Sequence, residues 1–279
     1  MTNVRNDLTI YDTFASQWWD AKSPFSCSLH AVNRLCLEEI ITVVGSDLRA
    51  TTVIDLGCGG GLLARPLSER GATVLASDLS KPSVRATHQC GIGTRLHALV
   101  ADARHPPFSS GCADLVLCAD IIEHIPSWRA VLAHAAGVLK PGGRIFVSTL
   151  TRTWLSSFIG VHVAEGLGFV PKGTHDPALL VRPAEVADEA RKLGLTATAP
   201  VGLTPCLWRS ALTRTLHVRR TRWVMVSYAM WLSKPPSPHR GDGEVTSSCA
   251  TPAAGAGSTA LFERAANGEW GARRLATCR

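Results

Sequence analysis

The most constraining feature of this chain is a short apolar run, Thr51 to Leu56, that ends in Gly57, Gly59, Gly60 and Gly61 with only Cys58 among them. Glycine weakens regular structure, so four of them at the end of a β-branched run need a cause. Two causes suffice: a sharp turn from a buried strand into a helix, or a ligand that must lie against bare backbone.

The flanking sequence selects the fold. After the glycines, Gly61–Gly71 reads as a helix and Ala72–Asp78 as a second strand. Ser80–Gly91 reads as a helix with Ser80 as its cap and Pro82 in the first turn. Leu96–Asp102 and Cys112–Asp120 read as further strands. A helix from Ser127 closes at Pro141-Gly142-Gly143, and Arg144–Leu150 is a fifth strand. Strands alternating with helices require crossover connections, hence a mostly parallel, doubly wound α/β sheet of Rossmann-like type. Residues 1–50 read as an N-terminal helical cap, helical from about residue 12 to 44, with Trp18 and Trp19 as core aromatics or part of a lid. Residues 51–234 form the main domain. Within it, 151–182 break the rhythm as an insertion with an apolar stretch at 154–170, and 222–234 hold one late strand or two. From Pro235 to Arg279 the chain turns rich in Pro, Gly, Ser and Ala and reads as a disordered tail, with a short helix at Leu261–Trp270 as its one periodic segment.

The net charge of +7 raises the question of an anionic partner. The basic residues are dispersed except around Arg214, Arg219, Arg220 and Arg222, so no nucleic-acid partner is expected. Nine cysteines without a CxxC pair point to reduced thiols in the cytoplasm rather than a disulfide framework or a zinc site. No run of 18 apolar residues exists, so no spanning helix is expected.

In an open α/β sheet, ligands bind beyond the carboxyl ends of the strands. Gly57 and Gly59 stand there. Leu62 occupies the place where a dinucleotide fingerprint needs its last glycine, and no Lys-Ser/Thr pair follows to cradle phosphate. Asp55 precedes the turn, and Asp78 ends the second strand 19 residues after Gly59, a spacing that suits ribose hydroxyls. Asp102, in Ala101–Ala103, lies where it could flank an adenine. A nucleoside with a small charged tail fits this set, and S-adenosylmethionine is such a molecule. Here the chain resembles the class I S-adenosylmethionine-dependent methyltransferases over about residues 50–150, through VIDLGCGGG, ASD and LKPGGRIFVST.

The stretch CADIIEHI, Cys118–Ile125, ends the fourth strand at the same crevice. On a helical turn Asp120, Glu123 and His124 would share one face. Two carboxylates and an imidazole can hold a divalent cation such as Mg²⁺. Alternatively His124 is a general base on a substrate hydroxyl, or the group only caps a helix. FASQWWD, DLGCGGG, IIEHI and above all VPKGTHD with RPAE resemble the ubiquinone-biosynthesis O-methyltransferases over roughly residues 11–205. That resemblance implies methylation of a catechol-type hydroxyl on a polyprenylated, lipophilic ring. It places a metal on Asp120, Glu123 and His124, with His124 and Glu123 as the catalytic pair. It also implies cofactor contacts at Gly57, Asp78 and the Ala119 backbone, and a cofactor-carboxylate contact near Arg34. Asp120 stands where the family has Glu. The 154–170 stretch is then either a lid or a peripheral contact with the inner face of a membrane. Two alternatives stay open: a methyltransferase of another small molecule, such as a secondary-metabolite phenol, and a non-catalytic cofactor-binding scaffold.

Overall fold

Strand β1 (Thr52–Leu56) is buried along nearly its whole length, as befits the middle of a sheet covered on both faces. The computed structural model describes residues 6–23, 25–166, 170–206, 208–210 and 216–237. Around β1 lie β2 (Thr73–Asp78), β3 (Leu96–Val100), β4 (Ala113–Ala119) and β5 (Leu139–Leu150), in the spatial order β3-β2-β1-β4-β5 and all parallel. The order reverses between β1 and β4, which opens a crevice at the carboxyl ends of both. Beyond β5 the sheet becomes antiparallel: β9 (Ser227–Ser233) pairs with β5, then β7 (Val201–Pro205), then β8 (Val218–Thr221), with the two-residue β6 (Thr196–Ala197) also on β9. This is a Rossmann-like mixed sheet preceded by N-terminal helices.

Each face of the sheet has its own core. On one, Ile54, Val116 and Ile145 pack with residues of α5 (Trp128–Val138) and α7 (Pro183–Lys192), such as Leu132 and Val186. On the other, Val53, Leu117 and Phe146 pack with residues of α2 (Cys27–Val44) and α3 (Ala64–Glu69), such as Ile40 and Leu67. Helix α4 (Lys81–Cys90) starts at Ser80, whose Oγ accepts from the Ser83 N–H at 3.2 Å, the cap expected from sequence.

Two boundaries differ from the sequence reading, and one of its open choices is decided. Residues 12–44 are not one helix: α1 (Thr9–Thr13) and a 3₁₀ turn at Ala15–Gln17 precede α2, with turns between. Helix α5 stops at Val138, because Leu139 is already extended and pairs with Ala113, so Pro141-Gly142-Gly143 lies inside β5. The late segment is a single strand, β9, fully paired along β5. The apolar insertion coils as a π-helix, Ser156–Val163, followed by the short α6 (Ala164–Gly166). Pro235–Ser237 are described; the expected tail beyond them, with the segment Leu261–Trp270, lies outside the described residues, as does Arg214.

Candidate active site

The glycine turn after β1 is shaped by what lies over it. Gly57 and Gly59 have φ of 74° and 52°, a left-handed conformation that L side chains rarely adopt. A Cβ on Gly59 would stand 2.5 Å from Trp18 Cη2, and one on Gly60 would overlap the same indole. The turn is bare so that Trp18 can lie against it. Trp18 is buried, donates from Nε1 to Ser83 Oγ at 2.9 Å and packs with Tyr11 and Phe25 in a small core of the cap. Trp19 is 41% exposed and donates to the Gly60 carbonyl at 3.0 Å. Between Trp18 and the sheet is a cavity of about 320 Å³, lined by Asp55, Gly57, Gly59, Asp78 and Ala119 among others.

Asp78 Oδ2 accepts from the Gly59 N–H at 2.9 Å and Oδ1 from the Ser80 N–H at 2.8 Å, so the carboxylate ties the turn to the end of β2 while facing the cavity. Burial raises its pKa, and those backbone bonds oppose the rise. Asp55 has less support: burial, with the nearby Asp78 charge, pushes it up to about 7. A cationic ligand would relieve both carboxylates.

Two expected cofactor residues stand elsewhere. Asp102 is held by Arg104, whose Nε and Nη2 reach its oxygens at 2.9 and 2.5 Å; Ala101 and Ala103, not Asp102, line the cavity. Arg34 projects from the exposed side of α2, and its neighbour Asn33 faces the cavity instead.

A second cavity, about 130 Å³ and largely apolar, adjoins the first. Tyr11, Leu29, Asp120 and His124 line both. Its far wall comes from the inner side of the 156–166 segment, at Ile159, Val163 and Ala164. The same segment exposes Phe158, and the turn leading into it exposes Trp154, so it is a wall of the second cavity whatever its outer face meets.

The expected helical face of Asp120, Glu123 and His124 does not form. Asp120 takes a left-handed conformation, φ 50°, with its N–H on the Ser148 carbonyl, and the following turn is 3₁₀ over Ile122–His124. The i, i+3, i+4 geometry therefore fails. The donor atoms that come together belong to Glu123, His124 and His175, one from each lying within 4.8 Å of the others. His175, in the VPKGTHD stretch, was missed because nothing in local spacing links it to Glu123. Its one signal in the sequence is the VPKGTHD stretch that carries the family resemblance. The His124 and His175 rings stack at 5.1 Å. Burial pushes His124 down to about 3 and His175 to about 4, so both are neutral at pH 7. Burial, then the Asp120 charge, raises Glu123.

The N-terminal segment holds His124 from above. Asn6 donates from Nδ2 to the His124 carbonyl at 3.0 Å, which turns its Oδ1 toward His124 Nδ1 at 2.8 Å. An amide oxygen only accepts, so Nδ1 carries the proton and Nε2 the lone pair. Tyr11 donates its hydroxyl to that lone pair at 3.1 Å.

Residues 54–147 match the family model of the methyltransferase domain. A ubiquinone biosynthesis O-methyltransferase of Marinobacter nauticus is 34% identical over 206 residues, 72% of this chain and 85% of that protein. The corresponding protein of Xylella fastidiosa is 33% identical over 244 residues, 84% of this chain and 94% of its own length. The chain belongs to this O-methyltransferase family. It is an S-adenosylmethionine-dependent methyltransferase. Among solved structures, magnesium protoporphyrin IX methyltransferase of Synechocystis PCC 6803 with bound SAH superposes with a TM-score of 0.58 at 17% identity, covering 81% of this chain and 96% of that one. A possible histamine N-methyltransferase of Thermotoga maritima gives 0.56 at 18%, covering 81% and 98%. These two establish the fold.

The donor set does not suit the Mg²⁺ that the sequence suggested. Mg²⁺ prefers oxygens in a near-octahedral shell and keeps several waters, whereas two of these three donors are imidazole nitrogens in a buried site.

Proposed function

We propose that the methyltransferase acts on a phenol or catechol hydroxyl carried by a lipophilic ring, in keeping with the quinone precursors that its relatives' name implies. One observation carries the reading: an apolar cavity meets the cofactor cavity at a partition formed by Tyr11, Leu29, Asp120 and His124. Methyl transfer is an in-line displacement, so donor and acceptor must approach from opposite sides of one plane, and two cavities sharing a wall provide that. The acceptor oxygen bonds to the methyl carbon, the sulfur keeps the electron pair of the broken bond, and the hydroxyl proton leaves to the ionisable residues at the partition. In this reading His124 receives it, being neutral with its Nε2 lone pair toward the partition, whereas burial keeps the Glu123 carboxyl protonated at neutral pH until a cation or a base stands beside it. The apolar walls hold the ring and exclude water.

The exposed Trp154 and Phe158, on the outer side of the wall that encloses the acceptor, support delivery of the acceptor from a membrane surface. No helix among the described residues is long and apolar enough to cross a membrane. Cys36, Cys58, Cys90, Cys112, Cys118 and Cys206 are free thiols, which supports a reducing setting.

The test is a methylation assay with S-adenosylmethionine and two catechols, one bare and one bearing an isoprenoid chain. The prenylated acceptor should have the higher kcat/KM by at least tenfold, and Val163→Asp should remove that preference while leaving cofactor affinity unchanged. Equal kcat/KM for both acceptors would refute a lipophilic substrate, and no turnover of either would refute the phenol class.

A further inference from the structure

We infer that the cavity over the glycine turn tells the methyl donor from its demethylated product by charge, holding the sulfonium form more tightly, with Asn33 as the side chain that meets the donor's carboxylate. This rests on the reading above that places the cofactor in that cavity, and it goes beyond it to a choice between two ligands.

The lining is one-sided in charge. Asp12, Asp55, Asp78 and Asp120 face the cavity, and no Lys or Arg stands among the described residues that line it. Guanidinium groups on the surrounding elements are engaged elsewhere. Arg34 is exposed on α2. Arg220 reaches α2 from β8, where its Nη2 donates to the Leu35 carbonyl at 3.0 Å and its Nη1 pairs with Glu39 at 3.2 Å. Arg65 on α3 lies over the Trp19 ring and donates to Glu69 at 2.8 Å. Burial, then the neighbouring Asp78, raises Asp55 to about 7, as expected of a carboxylate with no cation beside it.

The same lining is short of hydrogen-bond donors. Gly57 and Cys58 give their N–H groups to the Ser77 carbonyl at 2.8 and 3.0 Å, and Gly59 gives its own to Asp78. Side-chain donors are engaged as well: the Thr9 hydroxyl on Asp7 at 2.6 Å, Tyr11 on His124, Trp18 on Ser83, Ser80 on Ser83 at 2.9 Å, and His124 Nδ1–H on Asn6. Asn33 is the exception. Its Nδ2 donates one hydrogen to the Leu29 carbonyl at 2.9 Å, one turn back on α2, which sets the orientation of the amide and leaves the second hydrogen for a ligand. A carboxylate in this cavity meets a neutral amide and no cation.

Charge then separates the ligands. S-adenosylmethionine carries a sulfonium and an ammonium against one carboxylate, so it is a net cation. When the methyl group leaves, the sulfur keeps the electron pair and becomes a neutral thioether, and the product has no net charge. At an effective dielectric of about 20, one charge about 5 Å from another changes an affinity by roughly two orders of magnitude. Partial protonation of Asp55 and screening reduce that figure, and about tenfold should remain.

The test is calorimetry on the full chain at pH 8 without acceptor, so its result is independent of the methylation assay. The ligands are S-adenosylmethionine, S-adenosylhomocysteine, decarboxylated S-adenosylmethionine, and sinefungin, which carries an ammonium in place of the sulfonium. We expect S-adenosylhomocysteine to bind at least tenfold more weakly than S-adenosylmethionine, sinefungin within about threefold of it, and the decarboxylated donor no more weakly. Asp55→Asn should shrink the gap between donor and product. Asn33→Ala should weaken S-adenosylmethionine about tenfold, the worth of a hydrogen bond to a charged group, and leave the decarboxylated donor unchanged. Asn33→Asp, which serves also if the alanine variant folds poorly, should weaken the first and tighten the second. Equal affinity for donor and product overturns the discrimination by charge, as do sinefungin binding like the product, a native gap in Asp55→Asn, or a tenfold loss on removing the carboxylate. Equal weakening of both donors by the Asn33 variants overturns its contact with the carboxylate. Native S-adenosylmethionine affinity in Asp78→Ala would instead remove the cofactor from this cavity, and the discrimination with it.

Discussion

Replacing Trp18 by Ala should undock the N-terminal cap without unfolding the sheet. The indole is 6% exposed and lies on the bare backbone of Gly59 and Gly60. A buried Trp removes about 150–250 Å² from water, which at about 25 cal/mol per Å² is roughly 4–6 kcal/mol. Measured truncations of this kind cost about 3–5 kcal/mol, because neighbours partly collapse into the space. The lower end applies here, since Tyr11 and Phe25 can close on the gap, and Ser83 Oγ keeps its bond to Ser80 after losing the indole. The loss should stay local. Trp18 belongs to a cap cluster with Ile10, Ala15 and Phe25, separate from the cores on the two faces of the sheet. Hydrogen exchange of the variant should therefore speed up over residues 6–26 while β1, β4 and β5 keep their protection. Cofactor affinity should fall as well, because Leu8, Tyr11, Asp12 and Trp18 all line the first cavity. A 3 kcal/mol loss of docking sets a ceiling of about 100-fold on that fall, and we expect at least tenfold. Native exchange rates over 6–26 together with unchanged affinity would refute the reasoning. Loss of protection throughout the sheet would refute the separation of the cores.

Asp55→Asn should flatten a pH dependence of stability. Asp55 ionises near 3.8 when unfolded and near 7 when folded, so the folded state holds the extra proton and stability declines from pH 4 to pH 7, by on the order of 4 kcal/mol at most. Thermal melts of the cofactor-free protein across that range check it, and an equal decline in Asp55→Asn would assign the effect to another group. The cofactor's positive charge favours ionised Asp55, so S-adenosylmethionine affinity should rise across the same window in the native chain and less in the variant. Asp78→Ala should weaken S-adenosylmethionine by roughly 1.5–3 kcal/mol, the worth of charged hydrogen bonds; calorimetry showing native affinity would remove Asp78 from the cofactor site. Gly57→Ala should lower stability and affinity together, because its φ of 74° disfavours any side chain and a Cβ would run into Ile121; an unchanged melt would show that the turn relaxes at no cost.

What the sequence made legible was what depends on near neighbours. A β-branched run ending in glycines announces its own turn, and Asp78 lies one strand away in a parallel register that pairs Ser77 with Leu56. Failures began where a local rule met a tertiary one. Arg34 and Asn33 are adjacent on one helix, and a 100° step decides which of them meets the cavity. Asp102 sits beside the cavity, but Arg104 two residues on captures its carboxylate. Asp120 carries the right chemistry, yet its left-handed backbone breaks the helical spacing that grouped it with Glu123 and His124. The late strand was visible as an apolar run, whereas its antiparallel place beside β5 is set by the whole sheet.

The same logic separates the two halves of the active site. Residues 54–147, the span matched by the methyltransferase family model, contain every part of the glycine turn, Asp55, Asp78 and Ala119. Glu123 and His124 also lie in that span, but the groups that give them a defined state do not. Asn6 sets the His124 tautomer, Tyr11 covers its lone pair, and His175 completes the cluster. The first two come from the cap and the third from the insertion, and the cap's Asp7 N–H donates to the insertion's Gly173 carbonyl at 3.0 Å. The second cavity is therefore assembled from separate stretches of chain, the late strands at Pro205, Val218 and Val226 among them, while the first is one continuous unit roofed by the cap. Changes in the cap and insertion can then alter the acceptor without disturbing the cofactor, provided that Trp18 keeps its seat on the glycines. It follows that Tyr11→Phe, which preserves the ring packing on Trp18 and removes only the hydroxyl, should leave S-adenosylmethionine affinity within about twofold and change kcat/KM for the acceptor by much more. A parallel loss of both would show that the two halves are not separable.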